Sequence, residues 1–196
     1  MGTVNVGVPM PQDAGAGLRT ARLALRRFTG EDLAWLSALY ADPRVASQIG
    51  GVKSPDETRT LLEQRILAYY DAHPGLGVWT TCLRGSGEPI GMHLLNHIQG
   101  EELIQVGYAL SVPYWNQGYA TEMALAVLRY GYERLGLPQI VAIANLDNAS
   151  SHRVLLKARL QRRGERSFPH PAYAKQGPLA YFESERAAWL AADTAA

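Results

Sequence analysis

Residues 113–122 read Pro-Tyr-Trp-Asn-Gln-Gly-Tyr-Ala-Thr-Glu, and they follow a strand-like run and open a helix-like one. A strand end that feeds a glycine turn and then a helix start makes an anion cradle. The N–H groups of a first helical turn have no partner inside the helix, and the aligned peptide dipoles leave partial positive charge there. A phosphate fits such a place. The chemistry to be accounted for is therefore that of a ligand that carries phosphate.

The elements around this turn follow from periodicity and punctuation. Residues 1–17, rich in Gly and Pro, have neither helical nor strand period and are expected to be a flexible leader. A single domain is expected over 18–190, and 191–196 are left as a C-terminal tail. Arg22 to Arg26 alternate as a half-buried strand does. Thr29 with Glu31 and Asp32 starts a helix that stops before Pro43. Ser54-Pro55-Asp56-Glu57 starts a second one with a capping box, running to about residue 72. Strand-like runs at 78–83, 89–98 and 103–112, joined by short polar turns, imply an antiparallel meander. After the glycine turn come a helix over 119–135, a strand over 139–144, a helix over 148–157 and strands over 161–168 and 179–185. The order implies a mixed α/β (α+β) fold: a mostly antiparallel sheet of about seven strands with about four helices.

Composition narrows the setting. Nineteen basic and eighteen acidic side chains leave a net charge of +1, with 47% hydrophobic residues. That balance offers no electrostatic reason to expect nucleic acid as a partner. Cys82 is the single cysteine, so an intrachain disulfide and a cysteine-built zinc site are both excluded; in an apolar run it reads as an inert buried thiol. No run approaches the ~18 apolar residues of a membrane span, and no basic-then-apolar start opens the chain. The expectation is a cytoplasmic protein, monomer or homodimer, with no membrane or metal partner.

With its glycine turn after the meander, this element order resembles the GCN5-related N-acetyltransferase (GNAT) superfamily. Three stretches carry the likeness: Val106-Gly107-Tyr108, Gln117-Gly118-Tyr119-Ala120-Thr121-Glu122, and Asn148-x-x-Ser151-x-x-Val154-Leu155-x-Lys157. Within the superfamily the chain looks most like the ribosomal-protein alanine and serine N-terminal acetyltransferases. The resemblance implies acetyl-CoA as cosubstrate, a primary amine as acceptor and direct attack on the thioester. It implies main-chain contacts from Ala109, Leu110, Ser111 and Val112 to the acetyl-pantetheine arm. Gln117, Gly118, Tyr119, Ala120 and Thr121 would hold the pyrophosphate, and Asn148 would face pantetheine. The chain departs from the superfamily's turn pattern at Trp115, where a basic residue or Gln is usual, and at Asn116, where glycine is common.

Proton transfer is where the resemblance implies least. Many members place a glutamate two residues before the Gly-Tyr pair; here that residue is Gln105, whose amide cannot titrate. Glu101 shares the strand parity of Gln105 if no bulge intervenes and Glu102 points to the opposite face; both read as solvated turn residues ahead of a catalytic role. His93, in the preceding strand with His97, is the candidate base by its unperturbed pKa, although a strand histidine is commonly structural. The tyrosine that many relatives use as acid is replaced by Leu155. Ser151 matches a serine that the related branch can use instead, while a helix-start serine can equally serve the backbone. Arg159 stands where relatives have glycine, and a positive φ there would strain it by roughly a kcal/mol or more.

The resemblance implies an acceptor site opposite CoA, with Tyr40, Tyr69, Tyr70, Trp79, Phe168, His170 and Tyr173 as potential lining residues; core packing is the commoner role for those on regular elements, while His170 and Tyr173 fall in a Pro-rich loop. The leading function is an acetyl-CoA-dependent N-acetyltransferase acting on a protein N-terminus or a small amine. The alternative is a catalytically silent acyl-CoA-binding or sensing module, favoured by Gln105 and Leu155 and opposed by Ser151. A nucleotide-binding enzyme is disfavoured, because no glycine-rich loop follows the first strand.

Overall fold

The computed structural model describes residue 15, residues 17–173 and residues 176–194. The expected leader falls almost wholly outside them.

Seven strands form one sheet in the order β1-β2-β3-β4-β5-β7-β6. They are β1 (Leu23–Arg27), β2 (Gly77–Leu83), β3 (Pro89–His97), β4 (Ile104–Leu110), β5 (Gln139–Ala144), β6 (Gln161–Arg166) and β7 (Leu179–Glu185). All neighbours run antiparallel except β4 and β5, which are parallel. That parallel pair meets at a single register position, Gln105 opposite Val141. Beyond it, residues 106–110 of β4 have no ladder partner on the β5 side, so the sheet splays open from its middle.

The helices start where their caps dictate. A 3-10 turn (Gly30–Asp32) leads into α1 (Leu33–Ala41), and Asp32 accepts the Thr29 N–H at 2.9 Å. A short α2 (Pro43–Ala46) follows at once, capped by the Asp42 carboxylate. The expected capping box at Ser54 is present: Ser54 N–H donates to Glu57 at 2.7 Å and Glu57 N–H to Ser54 Oγ at 3.2 Å, starting α3 (Pro55–Leu61). Such a cap stabilises a helix by ~1 kcal/mol. This helix passes through a π turn (Leu62–Leu67) into α4 (Ala68–Ala72), so one continuous helical run covers the single helix expected there. π turns recur at functional sites, and Arg65 and Ile66 in this one line the cleft described below.

Helix α5 (Tyr119–Glu133) packs on β3 and β4, and α6 (Ala149–Lys157) packs on α5, β5 and β6. Met123, Val127, Leu128 and Tyr132 of α5 are fully buried. A final helix, α7 (Arg186–Thr194), occupies residues read in part as tail. Its short amphipathic stretch follows β7 without a turn signal, which is why the sequence does not announce it. Trp189 of α7 is buried and donates its indole N–H to the Ala158 carbonyl at 3.0 Å. Arg159 does adopt a positive φ of 70°, and its guanidinium lies 5.2 Å from the Trp189 ring centroid. A cation–π contact of that kind, worth about 0.5–1 kcal/mol where exposed, offsets part of the backbone strain. Among the described residues no helix is long and apolar enough to cross a membrane.

Candidate active site

A cleft of about 1560 Å³ runs from the glycine turn, through the β4–β5 opening, to the turn between β3 and β4. Single small-ligand pockets are typically ~300–1,000 Å³. The larger volume suits two substrates meeting end to end.

One end is the cradle. Asn116 (φ 58°) and Gly118 (φ 81°) both sit in the left-handed region, with Gln117 between them. Alternating conformations of this kind turn successive N–H groups toward one point, a nest for anions. The first bond inside α5 runs from Glu122 N–H to the Gly118 carbonyl, so the N–H groups from Asn116 to Thr121 have no protein acceptor among the described residues. Trp115, at the position usually basic, does not face this nest with a charge. Its indole N–H donates to the Leu110 carbonyl at 2.7 Å and pins the turn to the end of β4.

A basic side chain from β1's entry braces the turn from outside the cleft lining. Arg22 donates Nε to Glu122 at 2.6 Å and Nη1 to the Gln117 carbonyl at 3.0 Å, with its guanidinium 4.3 Å from the Tyr119 ring centroid. A Cβ placed on Gly118 would lie 3.4 Å from Arg22 Nη2. Glu122 also accepts the Arg22 N–H and the Thr20 hydroxyl. Burial raises its pKa, but these donors outweigh burial and hold the carboxyl below its usual value. Arg22 was not singled out from sequence, because it lies far along the chain from the turn it completes.

The expected donor-side residues separate into two groups. Ala109, Leu110, Gly118, Tyr119, Ala120, Thr121, Asn148 and Ser151 line the cleft; Ser111, Val112 and Gln117 do not. Ser111 gives its N–H to the Ile90 carbonyl at 2.9 Å, Val112 begins a 3-10 turn, and Gln117 turns its amide to the Pro113 carbonyl at 2.7 Å. Asn148 caps α6, its Oδ1 accepting the Ser151 N–H at 2.9 Å.

Ser151 has an unexpected partner. Tyr108, in the open half of β4, brings its phenol to 3.1 Å from Ser151 Oγ and 3.1 Å from the Ser151 carbonyl. The Ser151 hydroxyl therefore bonds across the cleft rather than to its own helix. Burial pushes the Tyr108 phenol well above its usual pKa, with the Ser151 bond opposing, so it is a neutral donor. Leu155, at the position where relatives carry a tyrosine, is buried in the core.

His93, the base expected from sequence, lies away from the cleft. Its ring is fully buried and is absent from the cleft lining. Nδ1 lies 2.7 Å from Thr81 Oγ1, and Nε2 lies 3.4 Å from the Ala120 carbonyl. Burial lowers its pKa from 6.5 to about 4, the Ala120 carbonyl opposing. Both ring nitrogens are thus engaged inside the core, and the ring does not reach the cleft lining. The same placement has a consequence for stability. Between pH 6.5 and about 4 the unfolded chain binds a proton that the folded chain refuses, so stability is complete above 6.5 and falls as pH drops through that window. The loss reaches on the order of 3 kcal/mol from this residue. Urea unfolding at pH 7 and pH 4.5 should show a drop that His93→Gln reduces; an equal drop in the variant would contradict the placement.

At the far end, Tyr40, Tyr69 and Tyr173 line the cleft as expected, whereas Tyr70, Trp79, Phe168 and His170 do not. The Tyr70 hydroxyl is taken by the Val78 carbonyl and the Phe28 N–H, Trp79 and Phe168 are core residues, and His170 packs over Gly100. Gln105 donates to Asn96 Oδ1 at 3.3 Å, and Glu101 is held by Arg166 at 2.9 Å. Tyr69, His73 and His97 also gather here. Among the described residues no three His, Cys, Asp or Glu side chains are grouped as a metal site requires.

Comparison with known proteins matches this architecture. Residues 22–161 match the model of the acetyltransferase (GNAT) domain. The chain is similar to the uncharacterized N-acetyltransferase YoaA of Bacillus subtilis, at 31% identity over 75% of this chain and 84% of that protein. A solved acetyltransferase from Agrobacterium tumefaciens aligns with a TM-score of 0.75 at 25% identity, over 94% of this chain and 99% of that one. The aminoglycoside acetyltransferase AAC(6')-Ib, solved with coenzyme A, shares the fold at a TM-score of 0.72 and 18% identity, over 87% of this chain and 99% of its own.

Proposed function

The chain belongs to the acetyltransferase (GNAT) family, and we propose that it transfers the acetyl group of acetyl-CoA to a primary amine by direct attack on the thioester. The observation that carries this reading is the continuity of three features in one cleft: the unpartnered amides of residues 116–121, the open edge of β4, and the hydroxyls of Ser151 and Tyr108.

In this reading the nest around Gly118 holds the CoA pyrophosphate, aided by the α5 dipole and by Arg22. Main-chain groups of β4 near Ala109 and Leu110 receive the pantetheine amides in the position β5 leaves vacant. Bound there, acetyl-CoA supplies an activated acyl group. Ser151 donates its hydroxyl toward the sulfur and Tyr108 supports that donation, so the thiolate leaves as a thiol. General acid catalysis of this kind contributes ~10²–10⁴-fold. His93 has no part in the proton route and serves to join β2, β3 and the start of α5.

The acceptor end carries tyrosine and histidine side chains and two glutamates, Glu101 and Glu102, of which Glu101 is paired with Arg166. Protein N-termini, amino acids and small amines all fit its chemistry, and a dense polycation fits it poorly. Titration calorimetry with acetyl-CoA tests the donor half: the expected result is one site per chain, and no detectable binding would refute it.

A further inference from the structure

The family's glutamate is replaced by Gln105, and the Gln105 amide is committed to Asn96. An amine that arrives as an ammonium ion still has to lose a proton before it can attack. The side chain beside Asn96 in β3 is His97, and its surroundings differ from those of His93 in each respect that matters to a base. It lines the cleft. Its Nδ1 lies 2.6 Å from Tyr69 Oη, and its backbone N–H donates to the same oxygen at 3.0 Å, so α4 fixes the ring from one side. Nε2 has no protein partner among the described residues.

We propose that His97 is the general base, accepting the proton of the acceptor ammonium at Nε2 while Nδ1–H is donated to Tyr69 Oη; this rests on the acetyl-transfer reading above. The balance is complete with groups already named. The ammonium gives one proton to His97, and the amine lone pair forms the N–C bond as the C–S bond breaks. The sulfur keeps that bond's electron pair and takes a proton from Ser151. The nitrogen's second surplus proton restores the Ser151 hydroxyl, and His97 releases its own to solvent. Ammonium and acetyl-CoA thus give amide, CoA thiol and one proton.

The neighbours keep His97 ready for this step. Tyr69 faces it from α4 and His73 from that helix's C-cap, the His73 ring centroid lying 4.8 Å from its own, and Glu102 faces it from the β3–β4 turn. Burial first and His73 second lower its pKa below the usual 6.5, with Glu102 opposing. Burial keeps the Tyr69 hydroxyl protonated, so the ring is held by a neutral phenol.

The test is kcat against pH with saturating acetyl-CoA and the fastest of three probes: an alanine-initiated peptide, glycine and benzylamine. In the wild type kcat should rise through one ionisation below pH 6.5 to a plateau. His97→Gln should lose that ionisation and lower the plateau by roughly 10²-fold, with acetyl-CoA affinity unchanged. Tyr69→Phe, which retains the imidazole but not its support, should keep the ionisation at a shifted pH and lower kcat by about tenfold. An acidic limb that survives in His97→Gln overturns the proposal, whatever the plateau. Should His97→Gln fail to bind acetyl-CoA, a wild-type limb and kcat in Tyr69→Phe overturn it instead. A wild type that binds acetyl-CoA and acetylates none of the probes overturns the acetyl-transfer reading, and this inference with it.

Discussion

Gly118→Glu is expected to weaken acetyl-CoA binding by at least ~10²-fold, because three effects act at one atom position. Gly118 has φ 81°, where an L side chain costs roughly 1–2 kcal/mol. Its Cβ would meet Arg22 Nη2 at 3.4 Å, so the new carboxylate would draw the guanidinium from Glu122 and Gln117. The carboxylate would also add negative charge where a pyrophosphate must sit. Gly118→Ala separates these effects, since it keeps the conformational cost and omits the charge; it should lose about tenfold or less, in line with that cost. Calorimetry on the two variants decides the matter. Wild-type affinity in Gly118→Glu would mean that the nest does not hold the pyrophosphate.

The second large effect is on turnover. Ser151→Ala should lower kcat by ~10²-fold while acetyl-CoA affinity is retained. The variant keeps the Asn148 cap, because that bond uses the Ser151 N–H and not the hydroxyl. Tyr108→Phe removes the hydroxyl 3.1 Å away and should lower kcat by a smaller factor, about tenfold. Since the two hydroxyls act as one donor unit, the double variant should be little worse than Ser151→Ala alone. Steady-state thiol release measures all three. Wild-type turnover in Ser151→Ala would remove the serine from the acid role, and full additivity would show that Tyr108 acts elsewhere.

The geometry of the glycine turn was legible in the sequence because it is built into contiguous backbone. A strand end, a glycine and a helix start over residues 113–122 require no distant partner to make a nest, and Asn116 carries the left-handed conformation that its side chain tolerates. The same locality made the Ser54 capping box and the Asn148 cap readable. What sequence could not supply was the partner of each side chain. Arg22 reaches Glu122 across a hundred residues, and Tyr108 reaches Ser151 from a neighbouring strand across the β4–β5 opening. Tyr108 belongs to the Val106-Gly107-Tyr108 motif, yet nothing along the chain says that its hydroxyl turns toward α6.

The two strand histidines show the limit most clearly. His93 and His97 have the same parity on β3 and the same reference chemistry. The register puts His93 opposite Trp79 and Tyr108 in the middle of the sheet, where α5 covers it, and puts His97 at the strand end beside α4. Burial alone makes one a structural hydrogen-bond donor and leaves the other open to the cleft. Helix α7 was missed for a related reason: its value lies in Trp189 closing over Ala158, a contact that no local pattern announces.

The claim on which the rest depends is that this cleft joins acetyl-CoA to an amine. The direct measurement is CoA thiol release with the intact protein, acetyl-CoA and an alanine-initiated peptide, glycine or benzylamine, read together with the mass of the amine. Thiol should be released in proportion to enzyme and time, matched one for one by an amine heavier by one acetyl group. Acetyl-CoA bound with no amine-dependent thiol release and no acetylated product from any of the three would contradict it.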